Sequence, residues 1–376
     1  MPRRACKRVV FGGETFRFKA DGLLVDEVEI TANYSGIKFG PELEFFTVDG
    51  NLQPKNIIKK FQKLDLFGKN IKPELTNEQI EITAAPTASL RELEISLEQV
   101  LKIALETAEA YDTVLLPAAL HPLSTDFTVF NNPRYHRIVE IFGPNCRLNA
   151  PRVTSAQINI GASNESEAFS IYNRLRCLLP IITGIAVASP IRDGKLGKCL
   201  SERMDIYNQT VSRYPEHTGF PQKLRNLDEY ACMLRNLPVI QHPNSCYKYV
   251  RPMPQRGVAA EIRSLDEQPS LKEYLALVAI VKGSLPNVVL AEDMLERQFY
   301  KAVEQGIYDK KLFKRTVSDA ANGLPASEQH YLEPLQRRLE VGTVADRVKK
   351  RFEDGEATRE IFLDLAEHLR GNKAYI

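Results

Sequence analysis

The sequence predicts an α+β protein: an antiparallel sheet with helices packed on it, leading into a helical C-terminal part. Three observations predict it. Residues 8 to 48 alternate strand-like runs with glycine turns. Four short segments, around Glu42/Glu44, Gln79/Glu81, Gln157/Asn159 and Glu261/Arg263, carry polar pairs two residues apart against apolar neighbours. From Ser270 onward the pattern is almost entirely helical.

Taken in order, the strand-like runs are Arg8 to Phe11, Thr15 to Lys19, Leu23 to Ala32 and Glu42 to Val48, with turns at Gly12-Gly13, Gly36 and Asp49-Gly50. Ile57, Ile58 and Phe61 predict a helix over Pro54 to Leu64. A long helix begins at Ser89, with Glu92 completing a capping box and Leu93, Leu97, Leu101 and Leu105 forming its buried stripe, and runs to about Ala110. A short apolar segment, Thr113 to Leu116, precedes a loop from Ala118 to Pro133, and a strand follows at Thr154 to Gly161. Asn164 to Ala188 reads as a helix, Gly194 to Pro221 as a second long loop, and Ala259 to Leu265 as the last strand. Long loops inside a compact domain are usually functional. Ser270 and Glu273 form another capping box at the start of the helical part. The expected organisation is one catalytic domain over 1–376, a sheet-and-helix part at 1–270 and a helical part at 271–376.

The chain has 376 residues, enough for a large single core or two modest domains, since cores stop growing near ~250 to 300 residues. The 50 basic and 48 acidic residues are mixed along it with no basic arm, which argues against nucleic acid as a partner. The six cysteines form no Cys-x-x-Cys pair, and the basic start leads into no apolar h-region, so reduced thiols and a cytoplasmic location are expected. The most apolar run, Cys177 to Ile191, is interrupted by Pro180, Gly184 and Pro190 and falls short of the ~20 residues a bilayer crossing needs. A buried element, not a membrane anchor, is expected there.

Residues two apart on a strand share a face, ~6.6 Å apart. Glu42 and Glu44 therefore share one face while Leu43 and Phe45 share the other, and the same holds for the other three pairs. A half-wet sheet explains any single pair. Taken together, the faces hold Glu, Gln, Asn and Arg rather than Lys or Thr, in settings such as SAQINIG and AAEIRSL where the flanks are small or apolar. If they converge on one cavity, the carboxylates and amide oxygens are hard ligands suited to Mg²⁺, with Arg263 a fixed cation beside Glu261. Phosphoryl transfer needs that arrangement, because its catalysis is mostly positioning and charge neutralisation.

PELEFF, EITAAPTASLRELE, PRYHRI, SAQINIGASNESEAFSIYNRLRCLLP, ASPIRDGKLGKCLSER, YVRPMPQRG and EIRSLDEQP follow one another over roughly residues 35 to 300. In order and spacing they resemble glutamate-cysteine ligase family 2, carboxylate-amine ligases with a glutamine synthetase-like fold. The resemblance implies a sheet funnel and an ATP- and Mg²⁺-dependent amide synthesis through an acyl phosphate, on small amino acid or amine substrates, in a monomer or homodimer. It implies Glu42, Glu44, Glu81 and Glu261 as metal ligands, joined by the carbonyl of Gln157, and places Arg263 at the ATP γ-phosphate. Tyr135, Arg137, Arg203 and Arg251 resemble positions shaping the acceptor and carboxylate pockets, and Asn159 is assigned to substrate. Where many members carry His-Val-His, this chain reads Gln157-Ile158-Asn159. Glutamate-cysteine ligation is the expected reaction; the alternatives are a ligase joining another acid and amine, or a phosphotransferase like the guanidino kinases, which share this sheet.

Six histidines lack ligand spacing and read as surface or core residues. Cys146, Cys177 and Cys199 have nothing nearby to lower their pKa. GKLGK at 194–198 is not a phosphate loop, since Cys199 stands where Ser or Thr is needed.

Overall fold

A computed structural model describes residues 7–11, 14–18, 35–123, 126–285 and 292–375. Strands β1 (Lys7–Phe11) and β2 (Glu14–Phe18) pair as an antiparallel hairpin. The expected strand Leu23 to Ala32 lies outside the described residues. Then come β3 (Phe39–Val48), α1 (Ile58–Phe61), β4 (Ile71–Pro73), β5 (Gln79–Thr83), α2 (Leu90–Glu109), β6 (Val114–Leu116), α3 (Pro133–Phe142), α4 (Pro144–Asn149), β7 (Ala156–Gly161) and α5 (Glu165–Ala186). Two short pairs follow, β8 (Ile191–Arg192) with β9 (Lys195–Leu196), and β10 (Thr218–Gly219) with β11 (Tyr247–Lys248). Between them lie α6 (Glu202–Thr210) and α7 (Leu227–Arg235); β12 (Val250–Met253) and β13 (Val258–Ile262) end the strands. The rest is helical: α8 (Leu271–Ser284), α9 (Leu295–Gln305), α10 (Lys310–Gly323), α11 (Glu333–Val341), α12 (Val344–Glu353) and α13 (Thr358–Arg370).

Seven strands form the main sheet in the order β12-β13-β7-β3-β5-β4, with β6 also paired to β3. Every pairing in it is antiparallel. Strand β3 is the hub: β5 pairs one edge, while β7 takes Phe39 to Leu43 and β6 takes Phe46 to Val48 on the other. The period-2 pattern dictates the two faces. Leu43, Phe45, Ile80, Ile82, Ile158, Ile160 and Ile262 lie in one core cluster with α2, α5 and α8. Each of these fully buried side chains contributes on the order of 1.5–3 kcal/mol over an exposed one. Beyond the glutamates on the other face of β3, Phe46 and Val48 pack in a second cluster with α12 and α13, closing that end of the sheet.

Helix α8 is buried almost throughout. It meets α10 where a Cβ on Gly283 would stand 2.1 Å from the Ala320 carbonyl oxygen and one on Gly323 the same distance from that of Gly283, so two glycines set how close the helices come. Ser89 caps α2 by accepting the Glu92 N–H, but the Glu92 carboxylate takes the Thr87 hydroxyl in place of the reciprocal bond of the expected box. Two expectations are corrected. The helix over Pro54 to Leu64 shrinks to one turn because Pro54 bridges to Val48 at the strand end. The expected loop from Gly194 to Pro221 contains α6, whose buried side includes Glu202 and Arg203 among Met204, Ile206 and Tyr207. A helix that buries charge shows no clean apolar stripe, so periodicity misses it.

Candidate active site

The four polar strand faces converge. Glu42, Glu44, Gln79, Glu81, Gln157, Glu261 and Arg263 line one cavity of about 350 Å³ between the sheet and the elements α3, α4 and α6. Register places Glu44 directly across from Glu81, and Glu42 directly across from Gln157. Each side chain is fixed from behind. Glu44 accepts from the Ser155 N–H at 2.7 Å, the Ser155 hydroxyl at 3.0 Å and the Gln157 amide at 2.5 Å. The carbonyl oxygen of Gln157 accepts from Arg263 Nη1 at 2.8 Å, and Tyr207 Oη accepts from Arg263 Nε at 3.3 Å. Buried Glu267 accepts the Glu44 backbone N–H at 2.9 Å, and burial pushes its carboxyl up to about 8.

Arg203 reaches the cavity from α6 because Asp266 anchors that helix start, accepting from the Ser189 and Ser201 hydroxyls at 2.8 Å each, with Arg203 Nη1 at 4.0 Å. Tyr135 enters from the first turn of α3, which Asn132 caps by accepting the Arg134 N–H at 2.9 Å with Pro133 at the first position. Two expected site residues stand elsewhere. Arg137, two residues further round α3, pairs with Glu140 at 2.7 Å and does not line the cavity. Asn159 is also absent from the lining; its amide donates to Glu42 at 3.1 Å, so it orients that carboxylate.

The electrostatics divide the carboxylates into two groups. Burial alone would raise Glu261, but Arg251 and Arg263 outweigh it and hold its carboxyl down at about 2. Arg251 grips it with Nε at 3.0 Å and Nη2 at 2.9 Å, Arg263 contacts the same oxygen as Nη2, and Arg251 spends Nη1 on the Pro243 and Cys246 carbonyls. Both oxygens of the expected ligand Glu261 are thus taken by guanidinium groups. Glu42 is the reverse case: burial first, then Glu81 and Glu261, push it up to about 8. Burial and the neighbouring carboxylates also raise Glu74.

Glu74 is the residue periodicity missed. Its carboxylate oxygen lies with those of Glu44 and Glu81 inside a 4.8 Å cluster, partly balanced by Lys72 at 2.8 Å from Glu81. Lys72 pairs with Glu81 and Pro73 with Ile80, so Lys72 and Glu74 form a fifth pair two apart on the same face. Pro73 between them masks the strand. Three hard-oxygen donors this close, Glu81 buried and Glu44 and Glu74 half-buried, repel one another unless a cation sits among them, so these residues fit a divalent ion such as Mg²⁺.

The sequence model described as glutamate-cysteine ligase family 2 matches residues 38–375, nearly the whole chain. The chain belongs to glutamate-cysteine ligase family 2. Relatives of this ligase family include an Archaeoglobus fulgidus protein named only as uncharacterized, 28% identical over 88% of this chain and 96% of its own. A Mycobacterium sp. (strain KMS) protein provisionally named glutamate–cysteine ligase 2-2 is 24% identical over 75% of each chain. Among solved structures, the fold is similar to the glutamate–cysteine ligase of Francisella tularensis in complex with AMP, at TM-score 0.67 and 14% identity over 92% of this chain and 91% of that one. It is also similar to a bifunctional glutathione synthetase from Pasteurella multocida, at TM-score 0.68 and 14% identity over 89% of this chain. The chain covers 52% of the length of that second structure. The expected funnel-type sheet is thereby borne out, and this member of the ligase family is an ATP-dependent carboxylate-amine ligase. Among the described residues no helix is long and apolar enough to cross a membrane.

Proposed function

We propose that this ligase activates the side-chain carboxylate of L-glutamate with ATP and joins it to an amine, with L-cysteine the acceptor that the relatives' names suggest. The observation that carries this reading is the convergence of Glu42, Glu44, Glu74, Glu81 and Arg263 on one cavity, with three carboxylates inside a 4.8 Å cluster. The substrate carboxylate oxygen bonds to the γ-phosphorus as the bond to the ADP oxygen breaks. The amine nitrogen then bonds to the acyl carbon, phosphate leaves with the former carboxylate oxygen, and the amine loses a proton to solvent. Arg263, held by Gln157 and Tyr207, neutralises charge on the transferring phosphoryl group without having to reorganise. Glu44, Glu74 and Glu81 would hold Mg²⁺, which would supply positive charge to offset the charge of the phosphates. Tyr135 and Arg203 bound the substrate space, while Arg251 fixes Glu261 and thereby Arg263.

The test is phosphate release from ATP that requires both glutamate and an amine, with the amide identified by mass and activity lost on chelation. Phosphate transfer that stops at glutamate whichever amine is present, or no turnover at all, would overturn the reading. A second reading keeps the chemistry and changes the amine. It is favoured by Gln157 and Asn159, which replace the histidines many members carry, and by the apolar side of the cavity.

A further inference from the structure

One wall of the cavity is apolar. Ile138, Phe142, Ala150, Val211 and Tyr247 line it from the helical side. Phe142 is 1% exposed and braced edge-on by Tyr214, His217 and Tyr247, with ring centroids 6.1, 5.1 and 5.7 Å away. Cys146 backs this wall, and burial pushes its thiol up to about 12, so it stays neutral and packs as a small apolar group. Among the described residues, the acidic side chains that line the cavity are Glu42, Glu44, Glu74, Glu81 and Glu261, all from the sheet strands or, for Glu74, directly after β4. Arg134 and Arg256 also line it, and neither makes an ion pair among the described residues. Asn244 presents a buried Oδ1 with no hydrogen-bond partner.

We propose that the amine acceptor is an amino acid with a branched aliphatic or aromatic side chain, packed against Ile138, Phe142 and Val211 with its nitrogen donating to Asn244 Oδ1. This rests on the second form of the ligase reading above, in which the chemistry stands and the acceptor is an amine other than cysteine. The attacking amine must be the free base. An apolar wall and two nearby guanidinium groups both disfavour the ammonium form, and an Asn carbonyl accepting one N–H leaves the nitrogen lone pair available. The same wall offers nothing to the acid, whose reacting carboxylate needs the positive charge of Arg263. Arg134 and Arg256 supply the counter-charge for an acceptor carboxylate, which favours an amino acid over a simple amine.

The experiment holds ATP, Mg²⁺ and L-glutamate constant and compares L-leucine, L-phenylalanine, L-cysteine, L-serine and hydroxylamine by phosphate release and product mass. The expected result is a kcat/KM for leucine or phenylalanine at least about tenfold above that for serine, and above that for cysteine. In Ile138→Asn, at a half-buried position, the leucine-to-serine ratio should fall by about tenfold or more. Val211→Thr, which keeps side-chain volume, should move it in the same direction. Preference for cysteine or serine in the unaltered enzyme, or an unchanged ratio in the folded variants, overturns the acceptor assignment while leaving the ligase reading standing. No release with any acceptor, hydroxylamine included, overturns the ligase reading and the assignment with it.

Discussion

Glu44 and Glu81 face each other directly across the antiparallel pair β3 and β5, on the same side of the sheet, with the Glu74 carboxylate beside them. Like charges in that position destabilise a sheet unless something balances them. Glu42 sharpens the point, since its pKa rises from 4.5 in the unfolded chain to about 8 in the fold. A raised folded pKa means the stabilisation is complete below 4.5 and is lost as pH climbs through 8. The metal-free protein should therefore melt at lower temperature at pH 8 than at pH 5.5, and saturating Mg²⁺ should raise the midpoint more at pH 8. Thermal melts at both pH values, with and without Mg²⁺, check this; equal Mg²⁺ shifts would contradict it.

Replacing one of these carboxylates separates function from folding. Glu74→Gln should lower amide formation by about 10²-fold or more while leaving the metal-free melting temperature equal or higher, because it removes one repelling charge. Glu42→Gln and Glu81→Gln should likewise abolish amide formation with the fold intact. Phosphate-release assays paired with melting curves are the measurement. Full activity of these variants at saturating Mg²⁺ would dissociate the cluster from catalysis.

Arg251 and Glu261 form a pair 6% and 1% exposed. Breaking such a pair from one side strands a buried charge, so Arg251→Met should cost roughly 3 kcal/mol. Urea unfolding measures it, and the double variant with Glu261→Met should recover part of the loss. A neutral single variant would mean the charge finds water.

The close approach of α8 and α10 predicts that Gly283→Ala destabilises by about 1–3 kcal/mol, because the added methyl would meet the Ala320 carbonyl oxygen at 2.1 Å and backbone cannot swing aside. Urea unfolding should show it with little change in the KM values.

His121, fully buried against Phe46 and Phe127, has its pKa lowered from 6.5 to about 4, chiefly by burial. A depressed folded pKa gives stability that is complete above 6.5 and lost as pH falls towards 4. His121→Gln should melt with a shallower dependence on pH over that interval than the parent protein.

Much of this was written in the sequence, because period-2 alternation is imposed by the strand itself. Leu43 and Phe45 could only go to the core once Glu42 and Glu44 faced the cavity, and register then made Glu44 meet Glu81. What stayed hidden had physical reasons. Pro73 interrupts the pair that carries Glu74. Helix α6 buries Arg203 and Glu202, so no apolar stripe announces it. Arg137 and Tyr135 stand two apart on a helix, not a strand, and so point in different directions. Asn244, Arg134 and Arg256 come from separate elements that only the folded chain brings to one cavity.

Phe142, Cys146 and Val211 belong to a hydrophobic cluster separate from the core beneath the sheet. Substitutions that reshape the acceptor wall therefore repack a small, self-contained group of side chains and leave the strand floor and its carboxylates undisturbed. An ancestor with this architecture could exchange one amine for another through a few local changes, and a directed-evolution library confined to Ile138, Ala150 and Val211 would retrace that route.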